Sequence, residues 1–298
     1  MTGSNKRPIP AAMADIDPRT NPYRADLAAE YLRGTVDAQR YAPAIPMVVT
    51  AGSAPLRRSP QPTSPLDTEL QFGERVEVYE DKNGWSWLQS MTDGYVGYAP
   101  SASLGERPAA ETHSLTALRS YLFPEPDLKT VPRTMLSMTA ALTVRDQAGD
   151  YCALEGGGWI YARHLAPAGT FESDPVAVAQ RFLGTPYLWG GKTSVGLDCS
   201  ALVQLSLARC GLSVPRDTGM QETVIGKPVE FSGDERVLER GDLVYWPGHV
   251  GIWIDADRFI HANATDMMVA IAPLRDVSAY IADANGDAVR SVRRPVLP

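Results

Sequence analysis

The chain has 298 residues, of which 44% are hydrophobic and 21% charged, an ordinary globular composition with room for two or three domains. Its net charge of −7 speaks against nucleic acid as a partner, and no apolar run approaches membrane-spanning length. The three cysteines, at 152, 199 and 210, form neither a disulfide framework nor a paired Cys-x-x-Cys zinc pattern.

The first residues, to about 22, are polar and proline-rich and lack the hydrophobic stretch of a signal peptide, so a cytoplasmic protein is expected. This segment is expected to wrap a surface or stay mobile. Between Arg24 and Arg33, residues Leu27, Ala28, Tyr31 and Leu32 fall on one face of a short helix, which Gly34 would stop. Residues 1–44 are read as an N-terminal extension holding that helix.

From 45 to 108 the pattern becomes one of short strands and turns. Arg75–Tyr79 alternates, Asp81–Gly84 is a turn, Trp85–Ser90 alternates again, and Asp93-Gly94 signals a hairpin into Tyr95–Tyr98. The same order returns, in degenerate form, from 109 to 168: Gly149–Leu154 matches Gly84–Leu88, Gly158–Tyr161 matches Gly94–Gly97, and His164-Leu165 matches Ser103-Leu104. Both copies suit small SH3-like β-barrels. Cys152 reads as core, and His113 and His164 as solvated turn residues.

A last domain, 169–298, opens with a helix over Pro175–Leu183 carrying Val176, Ala179 and Phe182 on one stripe. The loop Gly184–Gly191 follows, then Asp198 as N-cap of a helix that begins at Cys199 and ends at Gly211. A cysteine in a first helical turn meets unpaired amides and the helix dipole, which favour a thiolate, and the glycine-rich loop leaves space for a substrate to reach it. Cys210 reads as core. Val214–Gln221 forms a turn into a short helix, and strands are expected at Glu239–Trp246, His249–Ile254, Arg258–Ala262, Val269–Ile271 and Val289–Val292. Helices first and antiparallel strands afterwards make the domain α+β.

His249 opens one expected strand and His261 closes the next, so neighbouring strands can bring the two imidazoles together. His249 could then take the proton of Cys199, with His261 holding its tautomer. The alternative is a three-ligand zinc site, for which no further Cys, His or close carboxylate pair completes a tetrahedron.

Six segments in order, Gly184-Thr-Pro-Tyr-Leu-Trp-Gly-Gly191, Asp198-Cys-Ser-Ala-Leu-Val203, Pro215-Arg-Asp217, Gly241-Asp-Leu243, His249-Val-Gly-Ile252 and Phe259-Ile-His-Ala262, resemble the NlpC family of papain-like bacterial cell-wall cysteine peptidases. The departure is Ala201, where many members carry glycine. The resemblance implies a papain-like catalytic domain behind the two barrels, with Cys199 as nucleophile, His249 as base, His261 as orienting residue and Tyr187 beside the active site. It implies cleavage between γ-D-glutamate and a diamino acid in murein peptides, without a cofactor. The two barrels resemble those of a subgroup in which the first barrel closes the cleft beyond the peptide's free amine. A dipeptidyl-peptidase on L-Ala-γ-D-Glu-diamino acid fragments, such as murein tripeptide, is therefore expected. Asp217 would supply charge to the amine pocket, Ser200 and Thr218 hydroxyls, and Tyr95 the barrel's contribution, with Trp189 also at the substrate. The bland readings of Asp217 and Tyr95 are a helix cap and barrel packing. A wall endopeptidase, an acyltransferase and a peptide-binding protein on the same scaffold are the other functions considered. The sequence fixes neither the diamino acid nor the oligomeric state.

Overall fold

The strands Arg75–Lys82 and Trp85–Ser90 form a hairpin in which Lys82 faces Trp85 across a two-residue turn. Asn83 and Gly84 both hold positive φ there (53° and 79°), the combination that matches the turn to the twist of the strands. The computed structural model describes residues 16–106 and 110–298. The start of the proline-rich segment and the expected barrel boundary at 108/109 lie outside the described residues.

The hairpin sits in a seven-stranded sheet with the order Leu66–Gln71, Ser53–Arg57, Val96–Pro100, Trp85–Ser90, Arg75–Lys82, Ile45–Val49 and Leu104–Gly105. Alternate residues point inward, so Leu56, Leu70, Val76, Val78, Leu88 and Ala99 make its core, and Tyr95 joins them. A second unit is built of three smaller sheets around Leu115, Leu136, Leu142, Cys152 and Ile160. It repeats the end of the first: the 3-10 turn Ala162–His164 runs into the strand Leu165–Pro167 as Ser101–Ser103 runs into Leu104–Gly105. His164 is not simply solvated, since its Nδ1 lies 2.7 Å from Ser120 Oγ.

The expected N-terminal helix is not formed. Leu27–Ala29 is a short strand parallel to Arg40–Ala42, followed by a single 3-10 turn, Glu30–Leu32. Four apolar positions are too few to sustain a helix alone, and packing decides instead. Leu27, Ala28 and Ala29 are consecutive and all fully buried against Tyr79 and Trp87, while Tyr31 of the supposed stripe is 61% exposed.

In the last domain, α1 (Pro175–Gln180) is capped by Asp174, which accepts from the Val176 amide at 2.9 Å. α2 (Cys199–Arg209) is buried nearly all round and packs against one face of a six-stranded antiparallel sheet. The order of that sheet is Lys227–Val229, Ser291–Arg294, Leu243–Trp246, His249–Asp255, Arg258–Asn263 and Met268–Pro273. α3 (Thr218–Val224) lies beside α2, and α4 (Leu274–Asn285) covers the other sheet face through Leu274, Val277 and Ile281. The chain is thus a mixed helix and sheet protein with a sheet-rich N-terminal half. Among the described residues, no helix is long and apolar enough to cross a membrane.

The first barrel is clamped onto the last domain by buried polar groups. Lys192, 2% exposed, pairs with Glu74 at 2.8 Å, and Gln71 donates to the Lys192 carbonyl at 2.8 Å. Gly190 holds φ 77° and touches the barrel so closely that a Cβ there would meet the Leu66 carbonyl oxygen at 2.6 Å. This glycine thus serves contact with the barrel, where the sequence suggested space for a substrate.

Candidate active site

The site begins with Asp198. Its Oδ1 accepts from the Ala201 amide at 2.9 Å, capping α2, and its Oδ2 accepts from the Gly190 amide at 3.0 Å. One carboxylate therefore fixes both the helix start and the loop beside it. Arg216, 2% exposed, grips the same group with two nitrogens, at 2.9 and 2.6 Å. It also donates to Ser200 Oγ at 2.7 Å and to Thr68 Oγ1 of the first barrel at 2.8 Å.

Cys199 is the first residue of α2 and is 6% exposed. Its sulfur lies 3.9 Å from the Gly248 carbonyl oxygen and 4.0 Å from Thr218 Oγ1. The thiolate expected from the helix position is not the favoured form here. Burial pushes the thiol up to about 11, and the adjacent Asp198 charge adds to this. A dipole effect of about 1 kcal/mol does not offset those two.

Gly248 precedes His249 in the turn that joins Leu243–Trp246 to His249–Asp255. Ile252 faces Ile260 across the next strand pair, and both belong to the core against α2. His249 and His261 stand an odd number of residues from those partners, so both rings project from the opposite sheet face. They rest on Trp246 and Phe259, with ring centroids 5.8 and 5.3 Å away. His249 Nε2 lies 2.9 Å from His261 Nδ1, leaving Nδ1 of His249 as the nitrogen available to a thiol. No hydrogen bond joins Cys199 Sγ to His249. Burial lowers His249 to about 4 and, with the neighbouring His249 charge, His261 to about 3, so both rings are neutral at pH 7. Beyond them, Asn263 Nδ2 lies 3.2 Å from His261 Nε2, and Asp266 holds the Asn263 amide by bonds of 2.7 and 3.1 Å.

A cavity of about 320 Å³ opens over the sulfur, lined by Tyr187, Trp189, Ser200, Asp217 and Thr218, with Tyr95 and Arg19 at its outer end. Asp217 occupies the N-cap position of α3 but makes no capping bond. Its Oδ2 instead accepts from Arg19 Nη1 at 2.7 Å and from the Tyr95 hydroxyl at 3.3 Å. Burial raises the Asp217 carboxyl, and Arg19 and Arg216 oppose that rise. Ser200 Oγ is already engaged with Asp198 at 3.1 Å as well as with Arg216. Burial raises the Tyr187 phenol, and the nearby Asp198 charge adds to this. Trp189 is 71% exposed at the rim.

Residues 184–283 match the NlpC/P60 family, and residues 56–104 match the bacterial dipeptidyl-peptidase Sh3 domain. The chain carries an NlpC/P60 domain, of the cysteine peptidase class, and a bacterial dipeptidyl-peptidase SH3 domain. It is 24% identical over 245 residues to dipeptidyl-peptidase 6 of Lysinibacillus sphaericus, covering 72% of this chain and 87% of that one. It is likewise 24% identical over 233 residues to the γ-D-glutamyl-L-lysine dipeptidyl-peptidase of Bacillus subtilis strain 168, covering 71% and 77%. In three dimensions it resembles an NlpC/P60 family protein from Bacillus cereus ATCC 10987, with a TM-score of 0.72 and 21% identity, over 85% of this chain and all of that one.

Four residues at the site of this NlpC/P60 domain carry no role in the sequence reading: Arg19, Arg216, Asn263 and Asp266. Arg216 stood inside the Pro215-Arg-Asp217 segment, where a buried partner for Asp198 was the signal available. Asn263 is two residues past His261 on the same strand face, a spacing readable from period two. Arg19 reaches the site across 198 positions, and no local pattern announces such a contact.

Proposed function

We propose that the protein hydrolyses the bond between γ-D-glutamate and a diamino acid in short murein peptides with a free N-terminal L-alanine, releasing L-Ala-γ-D-Glu. The observation that carries this reading is the pairing of Tyr95, from the first barrel, with Asp217, from the peptidase domain, at the outer end of the cavity over Cys199. A wall at that end limits how many residues fit before the scissile bond, and a carboxylate there suits an ammonium group. The relatives named dipeptidyl-peptidase support the same reading.

In the proposed reaction, Cys199 Sγ attacks the γ-carbonyl carbon of the D-glutamyl residue while its proton passes to His249 Nδ1. His249 then gives that proton to the amine of the diamino acid as the C–N bond breaks, leaving a thioester on Cys199. Water, deprotonated by His249, attacks the thioester carbon, and the sulfur leaves as the product acid forms. His261, bonded to His249 Nε2, leaves Nδ1 as the nitrogen to take the thiol proton and steadies the imidazolium. Because burial favours thiol and neutral imidazole, proton transfer accompanies attack on the substrate. Asp217 and Tyr95 receive the alanine ammonium, with Ser200, Thr218 and Trp189 along the cavity and Tyr187 beside the thiol. A free-amine substrate is itself a product of earlier wall cleavage, so the proposed setting is recycling of wall peptides in the cytoplasm.

Incubation with murein tripeptide and mass analysis of the products tests the reaction. Hydrolysis yields L-Ala-γ-D-Glu and free diamino acid. A new amide on an added amine would indicate acyl transfer, and no product at all would indicate a binding protein.

A further inference from the structure

Arg19 lies in the segment before the first barrel, yet its guanidinium reaches the peptidase domain. Its own carbonyl accepts from the Val96 amide at 2.8 Å, and the next carbonyl, of Thr20, accepts from Gln89 Nε2 at 2.9 Å, so the backbone is tied to the barrel strands on either side of Tyr95. The side chain is then set by Asp17, which takes Arg19 Nε at 3.1 Å and Nη2 at 2.7 Å. That fork uses one edge of the guanidinium and leaves Nη1 directed at Asp217 Oδ2, 2.7 Å away. The Tyr95 hydroxyl meets the same oxygen at 3.3 Å. Oδ1 of Asp217 carries no bond to the described residues, because the capping bond that an N-cap aspartate would make to α3 is not formed.

We propose that Arg19 is a positioning and specificity-determining residue: with Tyr95 it occupies Oδ2 of Asp217, turns Oδ1 toward the cavity, and so prepares that oxygen for the ammonium of the substrate. The inference rests on Asp217 being the ammonium's partner. Arg19 does not fill the ammonium position, since the oxygen it takes is the one already shared with the barrel. It also supplies a charge that favours the ionised carboxylate. Burial acts to protonate Asp217, as does the nearby Asp198; Arg19, Arg216 and the Tyr95 hydroxyl act against that. Arg216 is itself spent on Asp198 in a bidentate pair. The remaining charged groups at this end, Arg58 and Asp67, are paired with each other at 2.6 Å. Arg19 is therefore the cation in direct contact with Asp217.

The test is steady-state kinetics of full-length protein with the free-amine tripeptide and its N-acetyl form, comparing wild type with Arg19→Gln and Arg19→Lys. A charged hydrogen bond is worth about 1.5–3 kcal/mol, so loss of part of it should raise KM for the free-amine peptide by about tenfold. The value of kcat, and turnover of the acetylated peptide, should change by less than about twofold on the same reasoning. The acid limb of kcat/KM for the free-amine peptide should move to higher pH in Arg19→Gln, because the carboxylate loses its cation, and Arg19→Lys should bring it partly back. A lower KM in Arg19→Gln would show that the guanidinium competes with the ammonium and would overturn the proposal. Equal losses on both peptides, or no change in either, would also overturn it. Asp217→Asn keeps the two questions apart: if it affects both peptides alike, the ammonium assignment of Asp217 fails whatever Arg19 does.

Discussion

Arg216 holds both carboxylate oxygens of Asp198, Nη1 to Oδ1 at 2.9 Å and Nη2 to Oδ2 at 2.6 Å, while its Nε reaches Thr68 of the first barrel at 2.8 Å. The residue before the candidate nucleophile is thereby joined, through Arg216, to the first barrel.

Removing one member of this buried pair should cost more than losing a surface contact. Arg216→Ala leaves Asp198 charged and without its main partner, a situation that costs about 3–5 kcal/mol in comparable buried pairs. Thermal melting should show a large drop, and activity should fall even at temperatures where the variant is folded, since the start of α2 is no longer fixed. Arg216→Lys restores charge but not the fork, so it should recover only part of the stability.

Cys199→Ala should abolish peptidase activity while leaving the melting curve near wild type. Cys152→Ala and Cys210→Ala should remain active, since those thiols lie in packed cores. Because the Cys199 thiol is pushed up to about 11, its alkylation in the empty protein should accelerate steadily between pH 7 and about 10. A rate already at its plateau near pH 6 would mean that a thiolate–imidazolium pair forms before substrate arrives.

At the second histidine, an amide can still bond His249 Nε2, whereas a methyl group cannot. His261→Gln should therefore keep more activity than His261→Ala when kcat is compared at saturating substrate. Equal inactivity would leave His261 without an orienting role.

The same histidines should shape the acid response of stability. Both are lowered in the folded state, His249 to about 4 and His261 to about 3, from an unfolded value near 6.5. Their contribution is complete above about pH 6.5 and is lost as pH falls toward the folded values, because the unfolded chain takes up protons that the folded one refuses. Each contributes a slope of about 1.4 kcal/mol per pH unit within that window. Burial raises Glu69 and Glu74, and those groups act in the opposite sense. The diagnostic is therefore the difference between wild type and His261→Gln, whose melting temperature should fall less between pH 7 and about pH 5.

How much of this was legible in the sequence follows from how local each signal is. The hairpins of the first barrel were readable because alternation and the Asn83-Gly84 turn are written in adjacent residues, and the strands holding His249 and His261 for the same reason. The run at Leu27 to Leu32 misled because burial on consecutive residues imitates a short apolar stripe. α4 went unread although Leu274, Val277 and Ile281 carry its spacing, since the neighbouring strand residues draw attention to period two. At the site, Asp198 as cap of α2 was visible, but the protonation of Cys199 was not: it depends on burial and on a charge whose own partner, Arg216, arrives from another segment. The Arg19 contact depends wholly on the folded arrangement of the segment before the barrel.

The most direct test of the account is the ratio of kcat/KM for free-amine murein tripeptide to that for its N-acetyl form. Acetylation removes the charge that Asp217 is proposed to meet and adds bulk against Tyr95. The account expects the free amine to be favoured by at least about ten- to hundredfold, the value of one charged hydrogen bond, with Asp217→Asn bringing the ratio toward unity. Equal turnover of both peptides, or cleavage of intact murein as fast as the tripeptide, would contradict it and point to a wall endopeptidase.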